Sequence, residues 1–189
     1  MTRFMTRRMA LGSLAGPFIF SRGWLQGEGE TAKIRIGLDY ALGLWYFDPV
    51  GLFIEKGRTV EWTSMRWGTT VSAFHPSNDN QELRIPENAR PFDSPLLAQA
   101  DTFRWTFDVE GTYDYFSRNH LTMGLIGRIV VGRPGGPGEK PPRYGGAEGR
   151  APIFPRAMRV FEALNSQEIV RRKAVAFPVA EIGHHFPEY

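Results

Sequence analysis

The chain has 189 residues, 42% hydrophobic and 13% aromatic, enough for one globular domain with a sizeable core plus extensions. It has no cysteine, which excludes disulfides, cysteine nucleophiles, iron–sulfur clusters and every metal centre that depends on a thiolate. The net charge of +3 owes much to Arg3, Arg7, Arg8 and Arg22; without these four of the 23 basic residues, 19 face 20 acids, a net of −1. Overall charge therefore gives no support to nucleic-acid binding.

Met1–Gly23 reads as an export signal. Thr6-Arg7-Arg8-Met9-Ala10-Leu11 resembles the twin-arginine (Tat) pattern, and the apolar run that follows to Phe20 is shorter than the ~20 residues that span a bilayer. Ser21 and Gly23 put small residues at the −3 and −1 positions for cleavage before Trp24. The layout predicts an exported protein of the periplasm or cell envelope, with no membrane span once the signal is removed.

Thr31–Asp39 alternates, with Ala32, Ile34, Ile36 and Leu38 on one face and Lys33, Arg35 and Asp39 on the other, the pattern of a half-buried strand. Tyr46-Phe47-Asp48-Pro49 follows, and then Phe53–Trp62, in which Lys56-Gly57 reverses the chain and Val60 and Trp62 face the core. Thr69–Phe74 is a further strand, ending at His75-Pro76. Ser77–Ser94 is a long polar connection rich in Asn, Asp and Pro. In Asp101–Gly111, Phe103, Trp105, Phe107 and Val109 alternate with Thr102, Arg104, Thr106 and Asp108. Gly111–Gly132 then reads GTYDYFSRNHLTMGLIGRIVVG: a strand, a polar loop Ser117-Arg118-Asn119-His120, and an apolar strand Ile126–Val131. Gly 21 and Pro 14 supply the many turns that such a fold needs. About seven or eight strand segments between Thr31 and Gly132 predict an all-β sandwich.

The Gly111–Gly127 stretch resembles the metal-binding end of the cupredoxins, the plastocyanin/azurin/pseudoazurin family, which reads G-x-Y-x-Y-x-C-x-x-H-x-x-x-x-M-x-G. Gly111, Tyr113, Tyr115, His120 and Gly127 match, whereas Ser117 stands at the Cys position and Leu125 at the Met position. Upstream, the Phe47–Pro49 step and Thr59-Val60-Glu61-Trp62 are similar to the family's second signature. The resemblance implies a Greek-key β-sandwich over residues 24–132, copper binding, electron transfer and a redox partner. By order and spacing it also gives His75 the position of the first copper-binding His.

The residues themselves argue against a blue-copper centre, which needs two His and a thiolate, with a weak axial Met. An alcohol such as Ser117 is a hard, weak ligand. Leu125 removes only the ligand that tunes potential. Three readings follow. In one, the metal site is degenerate, His75 and His120 hydrogen-bond near one end of the sandwich, and the protein is an envelope binding or accessory module that docks through that end. In another, His75 and His120 hold Cu(II) in a non-blue site, with Met123 assisting Cu(I). The third, a hydrolase using Ser117 and His120, lacks a nucleophile elbow and needs an acid such as Asp79 or Asp93 on His120, so the chain is read as no enzyme.

Residues 133–152 form a Gly/Pro-rich linker or surface wrap. Residues 153–189 form a helical extension: Pro155–Leu164 has Met158, Phe161 and Leu164 on one face, and Asn165 with Glu168 resembles a capping box that opens a second helix through Lys173. Adjacent His184-His185 are read as an adventitious metal site at most.

Overall fold

The computed structural model describes residues 31–40, 43–142 and 155–177. The predicted signal Met1–Gly23, the later part of the Gly/Pro-rich run and the His184-His185 pair lie outside the described residues. Eight strands occupy the predicted span: β1 Ala32–Asp39, β2 Leu44–Asp48, β3 Gly51–Ile54, β4 Arg58–Ser64, β5 Ser72–Ala73, β6 Thr102–Phe107, β7 Gly111–Phe116 and β8 Ile126–Val131. A ninth, β9 Ala174–Val175, follows helices α1 Pro155–Ala163 and α2 Ser166–Arg172. One sheet has the order β2-β1-β4-β6 and the other β5-β7-β8-β3-β9. In each, a parallel pair sits among antiparallel ones, β1 with β4 and β3 with β8.

Period-two alternation builds the space between the sheets. Ile34, Ile36, Val60, Trp62 and Phe107 turn inward from the first sheet and meet Ile54, Tyr115, Ile129 and Val131 of the second, all at most 1% exposed. Burying each such side chain is worth ~1.5–3 kcal/mol, which is what selects this register over its one-residue slip. The Tyr113 hydroxyl donates to Val109 O at 2.7 Å and pins the turn before β7. Burial, with Asp108 adding to it, pushes this phenol up to about 12.

Lys56-Gly57 turns the chain from one sheet to the other: β3 and β4 belong to different sheets, and Gly57, at φ +85°, carries the chain across the sandwich. Two expectations change. The Thr69–Phe74 strand shrinks to two paired residues, because side-chain hydroxyls replace a neighbouring strand: Thr70 N–H donates to Ser117 Oγ and Val71 N–H to Ser94 Oγ. The Ser77–Ser94 connection is not merely polar, for it places Ile85 and Phe92 in the core and buries Arg84 completely.

The second sheet carries a further layer. Val50, Phe53, Phe74, Phe116, Ile126 and Val130 on its outer side pack against Val160, Phe161, Leu164 and Ile169 of the helical segment. Phe161 and Leu164 of the predicted face are thus buried, whereas the Met158 side chain lies outside the described residues. Asn165 Oδ1 accepts from Glu168 N–H at 3.0 Å, capping α2, and the Glu168 carboxylate turns to Arg171.

A buried ionic cluster fastens this layer. The Asp114 carboxylate accepts from Arg84 Nε at 2.8 Å and from Arg128 Nε and Nη2 at 2.8 and 3.0 Å. The same guanidiniums donate to Gly138 O and Lys140 O in the Gly/Pro-rich run and to Leu164 O between the helices. Phe161 lies over Arg84 with 4.5 Å between guanidinium carbon and ring centroid. The opening of the Gly/Pro-rich run is therefore hydrogen-bonded into the fold. Its carbonyls serve as acceptors because a run of Gly and Pro forms no regular ladder of its own.

Candidate functional site

One end of the sandwich gathers the connections after β1, after β4, before β6 and between β7 and β8. The last of these is a 3₁₀ turn, Arg118–Met123, with Ser117 at its N-cap and Gly124 in the left-handed region (φ +78°) at its C-cap. Leu125 N–H donates back to His120 O and Ser117 N–H to Leu125 O, so Ser117, His120 and Leu125 are folded into one tight loop. Ser117 and Leu125 have no exposed surface.

The segment Gly68–Thr70 lies against this loop. Thr70 N–H donates to Ser117 Oγ at 3.0 Å, Arg118 N–H to Thr70 Oγ1 at 2.8 Å and Asn119 Nδ2 to Gly68 O at 2.9 Å. Thr69 Oγ1 is paired with Ser64 Oγ at 2.7 Å. Ser117 Oγ is 3.3 Å from His120 Nδ1. Having accepted the Thr70 amide proton, the hydroxyl is free to donate to the imidazole. His120 is half-buried and lies against Trp45, ring centroids 3.9 Å apart and planes 34° apart. Burial holds its pKa below the ordinary imidazole value, favouring the neutral ring that such a bond needs.

The structure does not bring His75 and His120 together. β5 pairs antiparallel with β7 in the register Ser72↔Phe116 and Ala73↔Tyr115, and Phe74 N–H donates to Asp114 O. His75 therefore lies beside the start of β7, and His120 lies beyond its end. The three residue steps from Asp114 to Ser117 separate them by about 10 Å before the turn begins, at a rise of ~3.3 Å per residue. His75 Nδ1 is tied instead to Ser77, 2.8 Å from its Oγ and 3.1 Å from its amide N. Met123 is in the turn but 42% exposed. Asp79 and Asp93 both pair with Arg118, at 2.8 and 2.9 Å, and so neither is placed to orient His120. Ser117, the nucleophile that the hydrolase reading names, is fully buried and already accepts from Thr70 N–H.

Thr70 and Gly68 were not legible as site residues, because what they contribute is backbone groups and, from Thr70, one hydroxyl of a kind common throughout the chain. The only signal was their place just before and at the start of the Thr69–Phe74 strand.

No family model matches the chain. Among curated relatives, the plastocyanin of Scenedesmus fuscus is 30% identical over 103 residues, covering 52% of this chain and 96% of the relative. The chloroplastic plastocyanin of Tetradesmus obliquus is 28% identical over 109 residues, covering 55% of this chain and 69% of the relative. Among solved structures, a pseudoazurin from Hyphomicrobium denitrificans matches with a TM-score of 0.46 at 20% identity, over 56% of this chain and 77% of that one. A purple cupredoxin from Nitrosopumilus maritimus matches at 0.41 and 26% identity, over 53% and 98%. Two mixed sheets closed by a Ser–His–Leu loop define a cupredoxin β-sandwich. The chain belongs to the plastocyanin-like cupredoxins.

The family implies copper, and the residues present do not fit it. At the family's Cys, His and Met positions in this loop a soft cation meets one alcohol, one imidazole and an alkyl side chain, and the Met123 thioether of the same turn is 42% exposed. The alcohol is already engaged with a backbone amide, and no thiolate exists anywhere in the chain. Without an anion to compensate its charge, copper gains too little here to displace the hydrogen bonds it would break.

Proposed function

We propose that the protein is an exported cupredoxin that works without copper as a protein-docking module of the cell envelope. The observation that carries this reading is the distribution of exposed apolar side chains. The large ones among the described residues are Tyr40, Met65, Trp67, Leu96 and Met123, between 42% and 72% exposed. All sit on the connections at the Ser117–His120 end. Together they offer on the order of 600 Å² of apolar surface, the scale of one partner's share in a weak, transient complex. The rigid sandwich beneath holds the connections in place, and Asn119 ties the β7–β8 turn to Gly68 in the loop that bears Trp67. The curated relatives named plastocyanin and the Tat-like signal support export. No helix among the described residues is long and apolar enough to cross a membrane. Arg66 lies over Tyr40 at 4.7 Å, and Arg118 stands between Asp79 and Asp93, so the face is mixed in charge and its affinity rests on apolar contact.

The test is in-cell crosslinking of the exported protein beside a Tyr40→Ser/Trp67→Ser double variant. The reading expects an envelope protein crosslinked by the native chain and lost with the double variant, whose circular dichroism and melting stay native. The same crosslink at the same yield in the double variant refutes it.

A further inference from the structure

We infer that the loop end of this cupredoxin is fastened by a hydrogen-bonded plug centred on Ser117 in place of a metal, so that the copper-free chain is the finished form. The inference deepens the docking reading, since it states what holds the docking face in shape. A metal at this end would join separate segments of chain, and the chain joins the same segments with its own bonds. Ser117 Oγ takes the Thr70 amide and faces His120 Nδ1, Thr70 Oγ1 takes the Arg118 amide, and Asn119 reaches Gly68 O. Within the loop, Ser117 N–H and Leu125 O close it from one side, and Leu125 N–H and His120 O from the other.

Two details make this a plug rather than an empty seat. Ser117 is a wholly buried polar side chain whose bonding is met by the protein, so nothing about it calls for a further ligand. The His120 nitrogen that faces the cluster is Nδ1, and it already rests against the Ser117 hydroxyl. The other family position, Leu125, is filled by a side chain packed in the main core. A second imidazole is not in reach, because His75 lies toward the opposite end of the β5–β7 pairing. An apo-metalloprotein gains stability by mass action when its ion is supplied, whereas among the described residues no group of three or more His, Cys, Asp or Glu side chains is gathered to gain from one.

The test uses the full chain carrying His184→Ala/His185→Ala, which removes the stray histidine pair. Thermal unfolding is followed with EDTA, with Cu(II), and with Cu(I) under anaerobic reductant. The expected result is one midpoint under all three conditions. Copper at 100 times its dissociation constant would raise the midpoint of a domain of this size by roughly 5–10 °C. Such a rise, abolished by His120→Ala, overturns the inference. In the second arm, amide exchange of Thr70 is compared between this background and Ser117→Ala. The plug predicts acceleration on the order of tenfold, the factor that loss of ~1.4 kcal/mol corresponds to. Unchanged Thr70 exchange overturns it as well. Both arms are independent of Tyr40 and Trp67, so failure of the docking reading and failure of the plug are distinguishable.

Discussion

Asp114→Asn tests the buried cluster that holds the helical layer to the sandwich. In the native chain, Asp114 and Arg84 side chains are 0% and 1% exposed and Arg128 is 7% exposed. Replacing the carboxylate by an amide takes the shared, hydrogen-bonded counter-ion from two buried guanidiniums, leaving Arg84 only Glu82 at 3.8 Å, and turns one acceptor oxygen into a donor facing other donors. Breaking a buried pair from one side costs about 3–5 kcal/mol, a large share of the ~5–15 kcal/mol that holds a domain together. At roughly 2–4 °C per kcal/mol for a chain of this size, the midpoint should fall by about 6–20 °C. Because Arg128 also donates to Leu164 O and Arg84 to Gly138 O, the helices should become protease-sensitive before the sandwich does. The assay is urea titration read by tryptophan fluorescence, with limited proteolysis at low urea. Glu110→Gln is the control: it removes the partner of Arg133, a pair 41% and 83% exposed, where ~0–1 kcal/mol is at stake. If Asp114→Asn costs no more than Glu110→Gln, the cluster does not fasten the layer and the reasoning fails.

Burial lowers the His120 pKa, so below about 6.5 the unfolded chain binds the proton that the folded chain resists. Neutral His120 thus adds stability that is fully present above that pH and is lost as pH falls toward the folded value. Urea midpoints of the native chain should fall from pH 7.5 to 5.5 more steeply than those of His120→Gln, and equal slopes would remove the effect. Gly127→Ala should destabilise by about 1–3 kcal/mol, because its Cβ would stand 2.4 Å from the Tyr115 ring in the centre of the second sheet. A melting point within one degree of native would show that the ring moves aside freely. Asn165→Ala removes the acceptor of the Glu168 amide and should cost about 1 kcal/mol, whereas Asn165→Asp should restore it; equal losses in chemical denaturation would deny the cap.

Much of this architecture is legible in the amino-acid sequence. Ile34, Ile36, Val60, Trp62 and Phe107 reveal themselves by alternation, since a half-buried strand needs apolar side chains every second residue. The Asn165-to-Glu168 cap was readable for the same local reason. Composition alone removed the thiolate, and with it the blue-copper centre.

Alternation names a face but not what covers it. Asp114 and Arg128 interrupt apolar strands at positions that read as solvent-facing, and they are buried because Gly138, Leu164 and Ser166 close over them. The identity of the partners at Ser117 was equally hidden. The sequence offered His75 as an imidazole at a strand end, but the β5–β7 register carries it away and brings in Thr70, 47 residues from Ser117, through a backbone amide that every residue but proline possesses. Likewise Tyr40, Met65, Trp67, Leu96 and Met123 are scattered along the chain, and only the closing of two sheets collects their loops at one end. Local spacing determined the strands and the missing ligand, whereas the meeting of distant segments decided what fills the site and which face is left apolar, because those depend on pairings between strands that no local pattern encodes.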